Sequence, residues 1–456
     1  LDGRSVVNTS FLNELLTAVA ERGRALIEPR RDRRGAGRAL PPQIAALLSE
    51  RGEASGAALA SEILATYRSL DAAGRATLFR LMRDELGAGT DALRSAADAY
   101  VADPSDAAAA RLYDAAAPRR LELLRRLNLA PGGTRALVGM RADLLGELAS
   151  DPTLATVDRD FERLFASWFN RGFLVMRRID WSSPASVLSQ IIAYEAVHEI
   201  HDWDDLRRRI DPPDRRCYAF FHPALVDEPL IFVEVALTRA MTDAIAPILS
   251  AERDIVPPGE ATTAVFYSIS NCQVGLRGVT FGSFLLKQVV EDLARDLPGL
   301  KTFVTLSPAP GFAAWLAEVA TNGDHPLATA ATRAAVAGLS DPDWPQSPQA
   351  AALGKAVLPL AAWYFLRESG RGGRPPDSVA RFHLGNGARL ERLDWLGDPS
   401  PKGLEQAHGL MVNYLYERNE IETNHEAYAR SGRRAAAAGV TKLLRGLPAP
   451  AVTPVA

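Results

Sequence analysis

The spacing of apolar residues changes near residue 170, and that change limits the chain to a fold with two differently built parts. Before it, apolar residues return every three or four positions among charged ones, the period of helices that bury one face. In SLDAAGRATLFRLMRDELG (69–87), Leu78, Leu81, Met82 and Leu86 share a face, while Arg75, Arg80, Arg83 and Asp84 can stay in water. The Ala-rich stretch 103–133 and TRALVGMRADLLGELAS after it continue the pattern, broken at Pro118 and at Pro131-Gly132-Gly133. Residues 1–170 are therefore expected to form an all-α helical bundle.

Beyond that point strand-like runs enter. CYAFFHPA (217–224) and PLIFVEVAL (229–237) flank Leu225-Val226-Asp227-Glu228 and predict a hairpin. TTAVFYSIS (262–270) and KTFVTLS (301–307) read as two more strands, with the amphipathic helix SFLLKQVVEDLARDL (283–297) between them, stopped at Pro298-Gly299. Strands joined through a helix favour a parallel or splayed pair in a mixed sheet. The last hundred residues return to helices, interrupted by RFHLGNGARLERLDW and GLMVNYLYE. The expected class is α+β, with a mixed-sheet α/β domain over 171–456.

At 456 residues and 47% hydrophobic content, the chain can bury two cores. A net charge of -3 argues against nucleic acid as the main partner, since phosphate binding is driven by clustered Lys and Arg. The one charge run of the first third, EPRRDRRGAGR (28–38), lacks interleaved aromatics and reads as a solvated loop. Two cysteines, Cys217 and Cys272, make no disulfide framework and suit a reducing compartment, so the expected location is cytoplasmic. The longest apolar run, AVLPLAAWYFL (356–366), is too short to span a bilayer, and no membrane association is expected. The chain opens at Leu1, which leaves an upstream targeting segment open.

Several residue groups could carry chemistry. NCQVGLRGVTFGSFLLK (271–287) sets Gly275, Gly278 and Gly282 where a strand hands over to a helix. Free backbone N–H groups and the helix dipole can hold an anion there, and absent side chains let a phosphate approach. The spacing is neither the Walker A pattern nor the dinucleotide fingerprint, and a tight turn or close helix packing explains the glycines equally well. HEIHDW (198–203) would put two histidines on one helix face, but they stand three residues apart where a zinc protease needs four. An ordinary polar helix end is expected, and no metal. Ser307 in TLSPAPGF precedes a proline, a pair that commonly starts a turn. His383 in FHLGNG sits beside turn residues. Glu234 in IFVEVAL could face solvent or a pocket, and RRRIDPPDRR (207–216) is expected as a charged surface loop.

The order of these motifs is more specific than any one of them. FYSISNCQVGLRGVTFGSFLLKQVV, TLSPAPGF, RFHLGNGARL and GLMVNYLYE together resemble the malonyl-CoA decarboxylase family, from about Trp168 to about Tyr416, with a looser match in the helical part. That family's catalytic domain is similar to GNAT-type acyltransferases, so the resemblance implies a GNAT-like domain. It implies coenzyme A on Arg277, Gly278, Val279, Thr280, Phe281, Gly282 and Ser283, and Ser307 with His383 as the catalytic pair. Asn413, Tyr414 and Tyr416 are candidate pocket residues. Some members carry glutamate at the position of Thr280, so no carboxylate role transfers there. The chain also lacks the Ser-Lys-Leu ending of animal members, which fits a bacterial-type enzyme.

What the resemblance implies is loss of CO2 from malonyl-CoA to give acetyl-CoA. The substrate's own thioester is the electron sink, so no resident cofactor is expected. Ser307 would orient the carboxylate or shuttle a proton, and His383 would protonate the carbanion. An acyl-CoA N-acyltransferase or a non-catalytic acyl-CoA sensor would use the same phosphate cradle. A homo-oligomer through the helical part is expected.

Overall fold

The computed structural model describes residues 40–49, 52–279 and 285–448. The charge run 28–38 lies outside them. The chain forms two compact units. One holds the described chain up to Val175 together with Phe221–Leu230 and the segment starting at Gln273; the other holds the rest.

The first unit is built of helices whose apolar faces meet. The helix Ala72–Asp84 starts at Asp71, whose carboxylate accepts from Gly74 N, and buries Ala76, Leu78, Phe79 and Met82. Arg119–Leu127 buries Leu121, Leu123, Leu124 and Leu127. It also buries Arg120, whose Nε donates to Asp160 at 2.6 Å and so keeps its charge compensated. Ala155–Trp168 buries Val157, Phe161, Leu164 and Phe165 at helical spacing. Each such side chain contributes about 1.5–3 kcal/mol. Gly132 takes a φ of +68° to open the helix Gly133–Glu147, which is the work of the Pro131-Gly132-Gly133 break.

The second unit is organised on an eight-stranded sheet. Its strands are β1 (Val175–Ile179), β2 (Arg215–Phe221), β3 (Pro229–Thr238), β4 (Thr263–Asn271), β5 (Thr302–Thr305), β6 (Ser307–Pro308), β7 (Arg389–Asp394) and β8 (Met411–Leu415). The order is β1-β2-β3-β4-β5-β8-β6, and β7 pairs with β8. The expected hairpin is β2–β3, and the expected parallel pair is β4–β5, in register from Thr263 against Thr302 to Phe266 against Thr305. The helix Leu285–Asp296 joins that pair and buries Leu285, Leu286, Val289, Val290 and Leu293. Helical N-terminal region and mixed sheet make this the α+β protein expected.

Two irregularities interrupt the regular pairing. On β3, Glu234 faces Ser268 but Val235 faces Phe266, so Tyr267 is an extra residue bulging from β4. The TLS strand also divides: β5 ends at Thr305, and Ser307 restarts pairing opposite Val412 of β8. Val304 and Leu306 join the buried cluster with Val265, Tyr267, Met411 and Leu415. By the two-residue period, Thr305 and Ser307 therefore share the opposite face.

Candidate active site

Ser307 lies inside the sheet and does not open a turn as its Ser-Pro sequence predicts. His383 is in the last turn of the helix Ser378–Gly385. Asp377 caps that helix, its Oδ1 accepting from Ala380 N at 2.8 Å. The turn residues of FHLGNG end it: Gly387 has a φ of +83°, and a Cβ there would lie 2.1 Å from the carbonyl oxygen of Ile421. Tyr414 and Tyr416 project from β8 and its end on one side, two residues apart.

These elements bring the four side chains into one buried group. Ser307 Oγ and His383 Nε2 are 3.0 Å apart, and His383 Nδ1 is 2.9 Å from Tyr416 Oη. Tyr414 stacks on the imidazole, with centroids 4.6 Å apart and planes at 24°. Ser307 Oγ donates to Thr305 Oγ1 at 2.9 Å, and Tyr414 N donates to the same oxygen at 3.2 Å. His383 is 2% exposed, and burial pushes its pKa down to about 3, so the imidazole is neutral at pH 7. A resident imidazolium acid, which an unperturbed histidine would supply near neutrality, is not what this site holds. Burial pushes Tyr414 and Tyr416 well above the usual phenol range, so both are protonated in the resting site.

Asn413 points the other way. Its Nδ2 donates to Thr305 O at 2.8 Å and Thr242 O at 3.2 Å, and its Oδ1 accepts from Arg392 Nε at 3.0 Å. It ties strands together and does not reach the histidine's group.

Within the glycine segment, Thr280, Phe281, Gly282 and Ser283 lie outside the described residues. Gly275 sits in the turn Val274–Leu276, where a Cβ would meet Val138 O at 1.9 Å, so that glycine serves close packing on the helix Gly133–Glu147. Gly278 has a φ of +83° and is exposed together with Arg277, while Val279 is buried. Arg141, absent from the candidate residues read off the sequence, holds the segment: its Nη1 donates to Gly275 O at 2.9 Å and Arg277 O at 2.8 Å. Its Nε donates to Asp158 at 2.7 Å and its Nη2 to Glu162 at 3.0 Å.

Two expectations need correcting. HEIHDW runs into the start of the helix Trp203–Ile210, which Asp202 caps, so it is a polar helix end as expected, but His198 and His201 precede that helix and share no helix face. His201 is exposed, and among the described residues no three metal-ligating side chains cluster. RRRIDPPDRR is not a surface loop, because Arg209 and Arg215 are buried. Arg209 donates to the carbonyls of His198 and Glu199, each at 2.7 Å, and to Asp205 at 3.1 Å. Glu195 grips the same loop from the other end, accepting from Val197 N and His198 N at 2.8 Å and from Ser268 Oγ at 2.7 Å. Glu234 is fully buried, 3.6 Å from Arg209 Nη1. Burial, aided by the charge of Glu195, raises its carboxyl to about 8 against the pull of Arg209.

A sequence model of the malonyl-CoA decarboxylase C-terminal domain matches residues 172–453, and one of the N-terminal domain matches residues 86–169. The chain belongs to the malonyl-CoA decarboxylase family. Among solved structures, it is similar to malonyl-CoA decarboxylase from Rhodopseudomonas palustris, with 56% identity, a TM-score of 0.86, and 88% of this chain and 98% of that one covered. It is 36% identical to the mitochondrial malonyl-CoA decarboxylase of Rattus norvegicus over 86% of this chain and 87% of that one. To the mitochondrial enzyme of Anser anser anser it is 38% identical over 68% of this chain and 66% of that one. Malonyl-CoA decarboxylases are carboxy-lyases, and the chain is an enzyme of that class. Among the described residues, no helix is long and apolar enough to cross a membrane.

Proposed function

We propose that this protein converts malonyl-CoA to acetyl-CoA and CO2 with Ser307 and His383 as its catalytic pair. The observation that carries the reading is the 3.0 Å approach of Ser307 Oγ to His383 Nε2 on a sheet face shared with Thr305 and bounded by two tyrosines. Decarboxylation breaks the bond between the α-carbon and the free carboxyl. The electron pair stays on the α-carbon, delocalised into the thioester as an enolate, and one proton drawn from solvent replaces the lost CO2. Protein groups need only orient the carboxylate, stabilise the enolate and deliver that proton.

The neutral state of His383 sharpens its role. It does not wait as an imidazolium; it stands behind Ser307 and passes its Nε2 proton through that hydroxyl to the carbon, while Nδ1 takes the Tyr416 proton that solvent then restores. Coenzyme A is assigned to the backbone of Arg277 through Ser283, ahead of the helix Leu285–Asp296. The exposed, left-handed Gly278 supports that assignment. No resident cofactor is needed, because the thioester accepts the electrons.

In this proposal residues 1–170 are the oligomerising module and 171–456 a GNAT-like catalytic one. The helix Thr90–Ala102 buries none of its side chains and exposes Tyr100 and Val101, which supports assembly through the helical part. Cytoplasmic placement rests on the sparse cysteine usage, Cys217 and Cys272 both being buried, which suits a reducing compartment. Incubation of folded protein with malonyl-CoA in the presence of a chelator should release CO2 and acetyl-CoA in equal amounts. Acyl transfer without CO2, or binding without turnover, would overturn the proposal.

A further inference from the structure

We propose that Thr305 is a positioning residue for the reaction, holding the Ser307 hydroxyl so that the proton of His383 stays on Nε2. This inference rests on the assignment of Ser307 and His383 as the reacting pair. Thr305 is fully buried and shares a sheet face with Ser307 because the two stand two residues apart across Leu306. Its place is held from both sides, with Asn413 Nδ2 on its carbonyl at 2.8 Å and Tyr414 N on its Oγ1 at 3.2 Å.

With Ser307 as the donor to Thr305 Oγ1, the available hydrogens set the direction of the remaining bonds. Ser307 has a single hydroxyl hydrogen, and it goes to Thr305 Oγ1 at 2.9 Å. Toward His383, 3.0 Å away, Ser307 can then offer only lone pairs, so Nε2 must carry a hydrogen. A neutral imidazole carries one hydrogen, so Nδ1 is left as an acceptor, filled by the Tyr416 hydroxyl at 2.9 Å. All donors thus run one way, from Tyr416 to His383 to Ser307 to Thr305. When Ser307 turns its hydrogen to the substrate's α-carbon, the Nε2 hydrogen replaces it, Nδ1 takes the hydrogen of the Tyr416 hydroxyl, and a proton from solvent restores the phenol before the next turnover. Without the acceptor oxygen of Thr305, Ser307 would donate to Nε2, and the imidazole hydrogen would move to Nδ1, on the side away from substrate.

The test compares Thr305→Val, Thr305→Ser and Ser307→Ala in the full chain, each checked for folding by thermal melting, with CO2 release from malonyl-CoA as the assay. Thr305→Val should lower kcat roughly 10²-fold, the scale of a lost proton-transfer step, with KM nearly unchanged. Thr305→Ser keeps the oxygen and should stay within about threefold of the parent. Equal kcat for Thr305→Val and the parent overturns the inference, and so does a Thr305→Ser variant as slow as Thr305→Val. An undiminished Ser307→Ala instead removes the catalytic pair itself, a distinct failure. Nitrogen NMR of the unaltered protein supplies a measurement free of folding defects: the His383 ring should read as the Nε2–H tautomer, and an Nδ1–H tautomer refutes the assignment.

Discussion

Gly275 lies so close to Val138 that a Cβ on the glycine would stand 1.9 Å from the valine's carbonyl oxygen. No rotation of a side chain relieves that contact, because both partners are backbone. Gly278 meets only the carboxylate of Glu162, 2.7 Å from its hypothetical Cβ, and that side chain can swing away. Gly275→Ala should therefore destabilise the protein more than Gly278→Ala, whose burden is mainly the φ of +83°, about 1–3 kcal/mol. Thermal melting of the two variants checks the order, and the reverse order would contradict it.

Arg141 is 1% exposed and serves two carbonyls and two carboxylates. Arg141→Met should destabilise by about 3–5 kcal/mol, since Asp158 and the carbonyls of Gly275 and Arg277 lose their donor. Chemical denaturation measures it. A loss below about 1 kcal/mol would mean that water takes over these contacts.

Tyr416→Phe removes the group facing Nδ1 of His383. A buried ring nitrogen without a partner destabilises by about 1–3 kcal/mol. Turnover should fall about tenfold or more if Tyr416 helps to set the tautomer. His383→Ala and Ser307→Ala should each fall further, with coenzyme A affinity nearly intact by calorimetry. Normal turnover in all three would remove this group from the chemistry.

The neutral state of His383 gives a signed pH dependence. Its folded pKa of about 3 lies below the unfolded value of 6.5, so the unfolded chain binds more protons between them. This contribution to stability is complete above pH 6.5 and is lost as pH falls toward 3. Turnover should stay level from about pH 6.5 to about 8.5, because the working imidazole is already neutral. A tenfold fall per pH unit across that range would point to an imidazolium acid.

Glu234 has the opposite sign. Its folded pKa of about 8 exceeds the ordinary 4.5, so its contribution is fully present below pH 4.5 and is lost as pH rises through 8. Glu234→Gln should gain stability relative to the parent steadily from about pH 5 to about pH 8. Denaturation at several pH values checks this, and a difference independent of pH would show that the carboxyl is ionised throughout.

Much of the scaffold was legible from residue spacing. Helices such as Ala72–Asp84 and Leu285–Asp296 announce themselves through apolar period and stop signals, and the β2–β3 hairpin through two apolar runs around a short turn. Glu234 was not legible in the same way, because β3 is buried along nearly its whole length and alternation cannot mark a wet face. Arg209 and Arg215 misled for a related reason: charge predicts exposure unless carbonyls and carboxylates are supplied from elsewhere in the chain.

By itself the sequence determined the two-part build, the strand–loop–helix–strand unit and the motif order of the family, since these depend on local periodicity and turn chemistry. Tertiary structure alone decided the rest. Ser307 and His383 meet across 76 residues of chain, His383 is neutral because the sheet and two tyrosines exclude water, and Gly275 is bare because Val138 approaches it. Each of these depends on which distant atoms become neighbours, and no residue's identity or spacing carries that information.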